Sequence, residues 1–248
     1  LVAIWRAATH QPDGGCVTIE TGERALTLNT CVRLLLHVIF CFLTLFGAAA
    51  QAAPIKILVF GDSLVSGYGL KPTEAFPPML GLRLQAEGYE VVIANDGVPG
   101  ETTAMGLARL TSAAETRPDL VILELGANDM LNNAPLKETR SNLERMIREF
   151  RRAGAHVVLA GMVARSDLPA AYRSQFDALY PELARKFSIA LYPNFLAGVG
   201  GDPALTQEGG LHPNAAGVKV IVERISPTIH AALRERGVKR RRFPFTSE

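Results

Sequence analysis

Ser63 stands in the run Gly61-Asp62-Ser63-Leu64, and a hydroxyl held at such a point can attack a carbonyl carbon if other groups assist it. A base must take its proton, and donors must receive the negative charge that develops on the carbonyl oxygen. From residue 53 onward the chain holds three histidines, His156, His212 and His230. His156 opens an apolar run and His230 falls late in an amphipathic one, positions that suit structural or solvated side chains. His212 lies in Gly209-Gly210-Leu211-His212-Pro213-Asn214, a loop stiffened by proline, and is the general-base candidate by elimination. Gly100 has no Cβ, so its backbone N–H can approach a reacting carbonyl closely. Asn128, in Gly126-Ala127-Asn128-Asp129, offers an amide NH₂ whose charge does not change with pH. Each residue also has an ordinary reading: serine after a strand caps helices, and glycine or asparagine there makes turns. Their joint occurrence favours chemistry.

Convergence requires a scaffold, and the hydropathy pattern supplies one. Short apolar runs at 56–62, 90–96, 120–126, 156–162 and 188–193 read as strands. Between them lie helical segments: one opened by Pro77-Pro78 and stopped by Gly88, then 102–116, 135–153 and 169–187. The 135–153 segment is the clearest, with Leu143, Met146, Ile147, Phe150 and Ala153 recurring at three- and four-residue spacing. A last helix begins at Asn214 and turns Val218, Ile221, Val222 and Ile225 inward. Pro227 within it costs about 3 kcal/mol in a helix interior, so a break is expected there, with Ser226 capping a separate final turn. Strands alternating with helices form an α/β domain with a five-stranded parallel sheet covered on both faces. Right-handed crossovers bring the strands' C-terminal ends to one edge, where ligands bind in such sheets. Residues 61–64, 97–103 and 126–129 fall at those ends, and 212–214 precedes the last helix.

Composition narrows the field of partners. The 248 residues carry 26 Lys and Arg against 24 Asp and Glu, a balance that gives no reason to invoke nucleic acid. Hydrophobic residues are 48% of the chain, which excludes a disordered protein. The Lys239-Arg240-Arg241-Arg242 run reads as a solvated, mobile terminus. Residues 34–46 form a short apolar stretch behind Arg33 and before Ala50-Gln51-Ala52, the parts of a secretory signal peptide. The expected signal is 31–52, cleavage leaves a domain of 53–248 without a stable membrane span, and the location is periplasmic or secreted. Residues 1–30 fit no part of a signal and read as an over-extended or unstructured N-terminal extension. Cys16, Cys31 and Cys41 all precede residue 53, so the domain has neither a disulfide nor a cysteine–metal site.

Other nucleophile and phosphate motifs fail. Val65 stands where Gly-x-Ser-x-Gly requires glycine, and no Gly-Lys-Ser/Thr occurs. Taken in order, GDSL at 61–64, Gly100, GAND at 126–129 and HPN at 212–214 resemble the blocks of the SGNH (GDSL) hydrolases over residues 55–235. The resemblance is closest to the arylesterase and thioesterase I/lysophospholipase L1 branch. It implies a flavodoxin-like three-layer α/β/α sandwich, no metal or organic cofactor, and a small-molecule ester as substrate. It further implies Ser63 as nucleophile, His212 as base, and Ser63 N–H, Gly100 N–H and Asn128 as the oxyanion hole. Aryl or short acyl esters are expected, with thioesters or lysophospholipids as the alternative. One position departs from the pattern. The family carries aspartate three residues before the histidine, and this chain has Gly209. Glu208 is the candidate substitute acid, and a Ser–His dyad or a weakened, ligand-binding homologue are the other readings.

Overall fold

In this computed structural model the described residues are 32–33 and 53–241. The chain divides into two units, Leu1–Ala52 and Ala53–Glu248. The expected signal segment and the 1–30 extension lie outside the described residues, apart from 32–33.

From residue 53 the β-branched and aliphatic runs become five parallel strands: β1 (Ile55–Gly61), β2 (Val91–Gly97), β3 (Leu120–Glu124), β4 (His156–Ala160) and β5 (Ala190–Tyr192). Their order is β2-β1-β3-β4-β5, the flavodoxin-like arrangement, in which the strand order reverses beside β1. The register runs Gly61 against Gly97 on one side and Gly61 against Glu124 on the other. The C-terminal ends of β1, β2 and β3 are therefore level. The connecting helices are α1 (Ser63–Ser66), α2 (Phe76–Ala86), α3 (Thr103–Glu115), α4 (Ala127–Leu131), α5 (Leu136–Arg152), α6 (Ala170–Phe187) and α7 (Ala215–Glu235). They cover both sides of the sheet, with α2 against α7 and α5 between α3 and α6.

The central strands β1, β3 and β4 are buried because both of their faces meet helices. The α5 stripe closes one side, and Phe150 meets Phe60 of β1 edge to face at 5.4 Å. At the sheet edge the expectation of uniformly buried strands needs correction. Val92 of β2 is 56% exposed, since an edge strand has a neighbour on one side only. The short α4 was not legible in the sequence, because five residues are too few to display a helical period.

Two further expectations are corrected. α7 runs unbroken through Pro227, and Ser226 does not cap a new turn; its hydroxyl donates to the Val222 carbonyl at 2.6 Å. Buried Ile225 on one side of the proline and Ile229, Ala232 and Leu233 on the other hold the axis against the sheet, so packing overrides the local preference. The basic tail is not free along its described part. Arg241 donates its N–H to Gly88 O at 2.8 Å and pairs with Glu90, while Arg240 lies over the Tyr89 ring.

Pro227 itself faces solvent, so Pro227→Ala restores a helix donor without opening a cavity. The variant is expected to unfold at higher temperature, with a gain of roughly 1–3 kcal/mol measured by thermal and chemical denaturation.

Candidate active site

β1 ends at Gly61, and the chain turns at once into α1. Asp62, not Ser63, caps that helix: its Oδ1 accepts the Leu64 N–H at 2.9 Å. Ser63 is thereby freed to project its hydroxyl from the first helical position. On the far side of the crevice the loop before α7 is a tight hairpin. Gln207 donates its N–H to His212 O at 2.8 Å, Thr206 bridges to Pro213, and Asn214 caps α7 through Ala216 and Gly217. The Gln207 side chain also donates to Tyr68 O and Pro213 O, at 2.8 and 2.9 Å. These bonds tie the histidine loop to the segment following α1. His212 Nε2 stands 2.9 Å from Ser63 Oγ, across 149 positions of sequence. With the ring proton on Nδ1, the serine hydroxyl donates to Nε2.

The remaining predicted residues fall around that pair. Gly100 and Asn128 line the same cavity of about 930 Å³ as Ser63 and His212. Among the described residues, the N–H groups of Ser63 and Gly100 donate to no protein acceptor. Asn128 differs from the expectation in detail: its Nδ2 donates to Asp62 Oδ2 at 2.9 Å and to Glu101 O at 3.0 Å. An oxyanion in the cavity must compete for one of those hydrogens. Gly126 brings Asn128 to this place. Its φ is +119°, and a Cβ there would collide with the Tyr180 hydroxyl, which donates to Leu125 O at 2.9 Å.

The histidine's second nitrogen lacks the usual acid. Gly209 has φ of +88° and open space around it. Glu208 is exposed, and no hydrogen bond joins it to His212. Asp202, further upstream, accepts from Ala204 N in a local turn. The imidazole packs instead against the Tyr68 ring, with centroids 5.0 Å apart. Burial holds its pKa below the ordinary 6.5, which keeps it neutral and able to accept a proton. The other two histidines lie away from this crevice: His156 is exposed at the start of β4 and His230 of α7 meets Glu87.

Sequence reasoning missed a buried polar base under the crevice. Asp62 and Glu124 are 1% and 0% exposed and face one another. Burial pushes the Asp62 carboxyl up to about 6 and Glu124 well above the carboxylate range. Next to them Glu101, 2% exposed, is gripped by Arg109, which also pairs with Asp96 at 2.7 Å and lies over the Phe60 ring. Asp129 accepts from Thr103 N at 2.7 Å and from the Thr103 and Thr139 hydroxyls. A charged residue inside the apolar run Leu120–Leu125 was the available signal for Glu124. Among the described residues, no group of three or more His, Cys, Asp or Glu is placed to hold a metal ion.

Residues 59–220 match the model of the GDSL-like Lipase/Acylhydrolase family. The chain belongs to that family. Membership makes it a carboxylic ester hydrolase of the SGNH type. It is 35% identical over 211 residues to Esterase TesA of Pseudomonas aeruginosa, covering 85% of this chain and all of the relative. It is 39% identical over 183 residues to an arylesterase of Vibrio mimicus, covering 73% of this chain and 90% of the relative. The crystal structure of a TesA superposes with a TM-score of 0.69 at 36% identity, over 72% of this chain and 99% of that one.

The electrostatics of the crevice give a direct test. His212 is expected to titrate with a midpoint below 6.5, followed by NMR of the ring resonances, because burial disfavours the imidazolium and no carboxylate is bonded to it.

Proposed function

We propose that this esterase acts through a Ser63–His212 dyad on aryl or short-chain acyl esters. The observation that carries the reading is the 2.9 Å contact between Ser63 Oγ and His212 Nε2 beside two uncommitted backbone donors. Ser63 Oγ attacks the ester carbonyl carbon while its proton passes to His212 Nε2. The carbonyl oxygen, now an anion, is received by Ser63 N–H and Gly100 N–H. Asn128 adds a third donor by turning one hydrogen from the Glu101 carbonyl to the oxyanion. Collapse of the tetrahedral species breaks the bond to the alcohol oxygen, which leaves with the proton from Nε2. Water then attacks the acyl-serine by the same route in reverse, releasing the acid and restoring the hydroxyl.

The cavity wall suits an acyl chain or an aryl ring. Met130 and Met162 form its buried part, and Leu131, Val163 and Leu211 stand exposed at its mouth. A slot of this kind discriminates between substrates by only about 1–3 kcal/mol per methylene. Thioesters and lysophospholipids would be cleaved by the same steps, and trials across acyl lengths separate the readings.

Without an acid on Nδ1, the histidine is oriented by its hairpin and by the Tyr68 ring, and turnover is slower than in a full triad. We further propose that residues 31–52 are an export signal ahead of a catalytic domain 53–248, and that residues 1–30 lie outside both. The unit boundary after Ala52 supports the division. Among the described residues, no helix is long and apolar enough to cross a membrane. A periplasmic or secreted location follows from that proposal, and mass spectrometry of exported protein reads the new N-terminus.

Ser63→Ala and His212→Ala are each expected to lower kcat on p-nitrophenyl acetate by roughly 10³-fold or more. Equal rates for the parent and Ser63→Ala would overturn the assignment. Gly209→Asp is expected to give less than about a tenfold gain and a lower melting temperature, because φ of +88° strains any side chain there.

A further inference from the structure

Two carboxyl groups lie side by side beneath the nucleophile, and among the described residues no cation is bonded to either. Arg109, the cation of the neighbouring network, is committed to Glu101, Asp96 and the Gly61 carbonyl. Two adjacent buried carboxylates cannot both remain ionised, so one must keep its proton. The hydrogen bonds decide which. Asp62 accepts two good ones, from Leu64 N and from Asn128 Nδ2, each 2.9 Å. Among the described residues, Glu124 accepts a single long one of 3.4 Å from Asp62 N, and its Oε1 has no partner. Donors stabilise an anion, and Asp62 has more of them.

We propose that Glu124 is a positioning residue that stays protonated in the folded protein. Its carboxyl proton is shared with the Asp62 anion, which thereby holds the Asn128 amide at the oxyanion site. Asp62 grips one Asn128 hydrogen, so only the other, now on the Glu101 carbonyl, is free to swing to the substrate. The same anion caps α1 and so sets Ser63. Other titratable groups that face the pair do not supply a counter-charge: Glu101 is acidic, and the Tyr180 hydroxyl donates to Leu125 O. The inference rests on the esterase reading for its catalytic consequence and stands apart from it for the protonation state.

Infrared difference spectroscopy of the full chain tests that state. A protonated carboxylic acid carbonyl band is expected at pH 8 in the parent and is expected to be missing in Glu124→Gln. Linkage gives a second readout. Glu124 loses its proton near 4.5 in the unfolded chain but keeps it when folded, so folding takes up a proton and this group's contribution falls as pH rises above that value. Glutamine titrates in neither state, so the melting-temperature advantage of Glu124→Gln over the parent should widen from pH 5 to pH 8. On p-nitrophenyl acetate, Glu124→Leu, which removes the donor, is expected to lower kcat by roughly 100-fold with little change in KM. Glu124→Gln, which keeps a neutral donor, should recover at least about tenfold of that loss. Absence of the acid band, a constant melting-temperature gap, or equal kcat in the two variants would each overturn the proposal. If Glu124→Leu does not fold, the band and the melting-temperature gap decide. If the parent and Ser63→Ala hydrolyse the ester equally, the esterase mechanism fails while those two readouts still decide the proton's place.

Discussion

The 2.9 Å contact between Ser63 and His212 depends on a sheet whose strands all run the same way. Parallel strands joined by right-handed crossovers end on one edge, so segments far apart in sequence arrive at a common crevice. β1 delivers Asp62 and Ser63, the turn after β2 delivers Gly100, and the short α4 after β3 delivers Asn128. The register makes this a matter of ångströms, because Gly61 pairs with both Gly97 and Glu124. The histidine reaches the same place on a hairpin tied to the Tyr68 carbonyl by the Gln207 side chain.

Beneath that edge the molecule accepts an expensive arrangement. Asp62, Glu101, Glu124 and Asp129 are all nearly inaccessible to water, although burying a charge is costly unless it is paired or richly hydrogen-bonded. Three of the four meet that requirement visibly: Glu101 through Arg109, Asp129 through two threonines, and Asp62 through Leu64 N and Asn128. Glu124 is the exception, and its proton is what makes the set self-consistent. The bonds made by Asp62, Glu101 and Asp129 stiffen this frame, and a rigid frame is what an oxyanion donor needs, since its contribution comes from being aimed before charge develops.

Much of the fold was legible because periodicity reports burial directly. The α5 stripe of Leu143, Met146, Ile147 and Phe150 became the helix and the core face that its spacing implies. Boundaries shifted by one or two residues, as helix and strand ends do. Pro227 shows where local rules fail: flanking buried side chains on both sides of the proline outweigh one missing donor. The Lys239–Arg241 run shows the same from the other direction, since a charge run reads as solvated until Tyr89, Glu90 and Gly88 O are seen beside it.

Residue types and their order determined the class of chemistry here: a serine, a glycine, an asparagine and a histidine in blocks that resemble one hydrolase family, and a glycine where that family keeps its acid. Those are properties of the chain as text, since motif order survives without coordinates. Only the folded molecule decided the atomic assignments. It gave the helix cap to Asp62, turned the Asn128 amide toward Asp62 and Glu101, left Glu208 in solvent, and paired Asp62 with Glu124. Such outcomes depend on which groups lose water together, and for the Asp62–Glu124 and Asp62–Asn128 contacts that is set by neighbours 62 and 66 positions apart, which no local pattern displays.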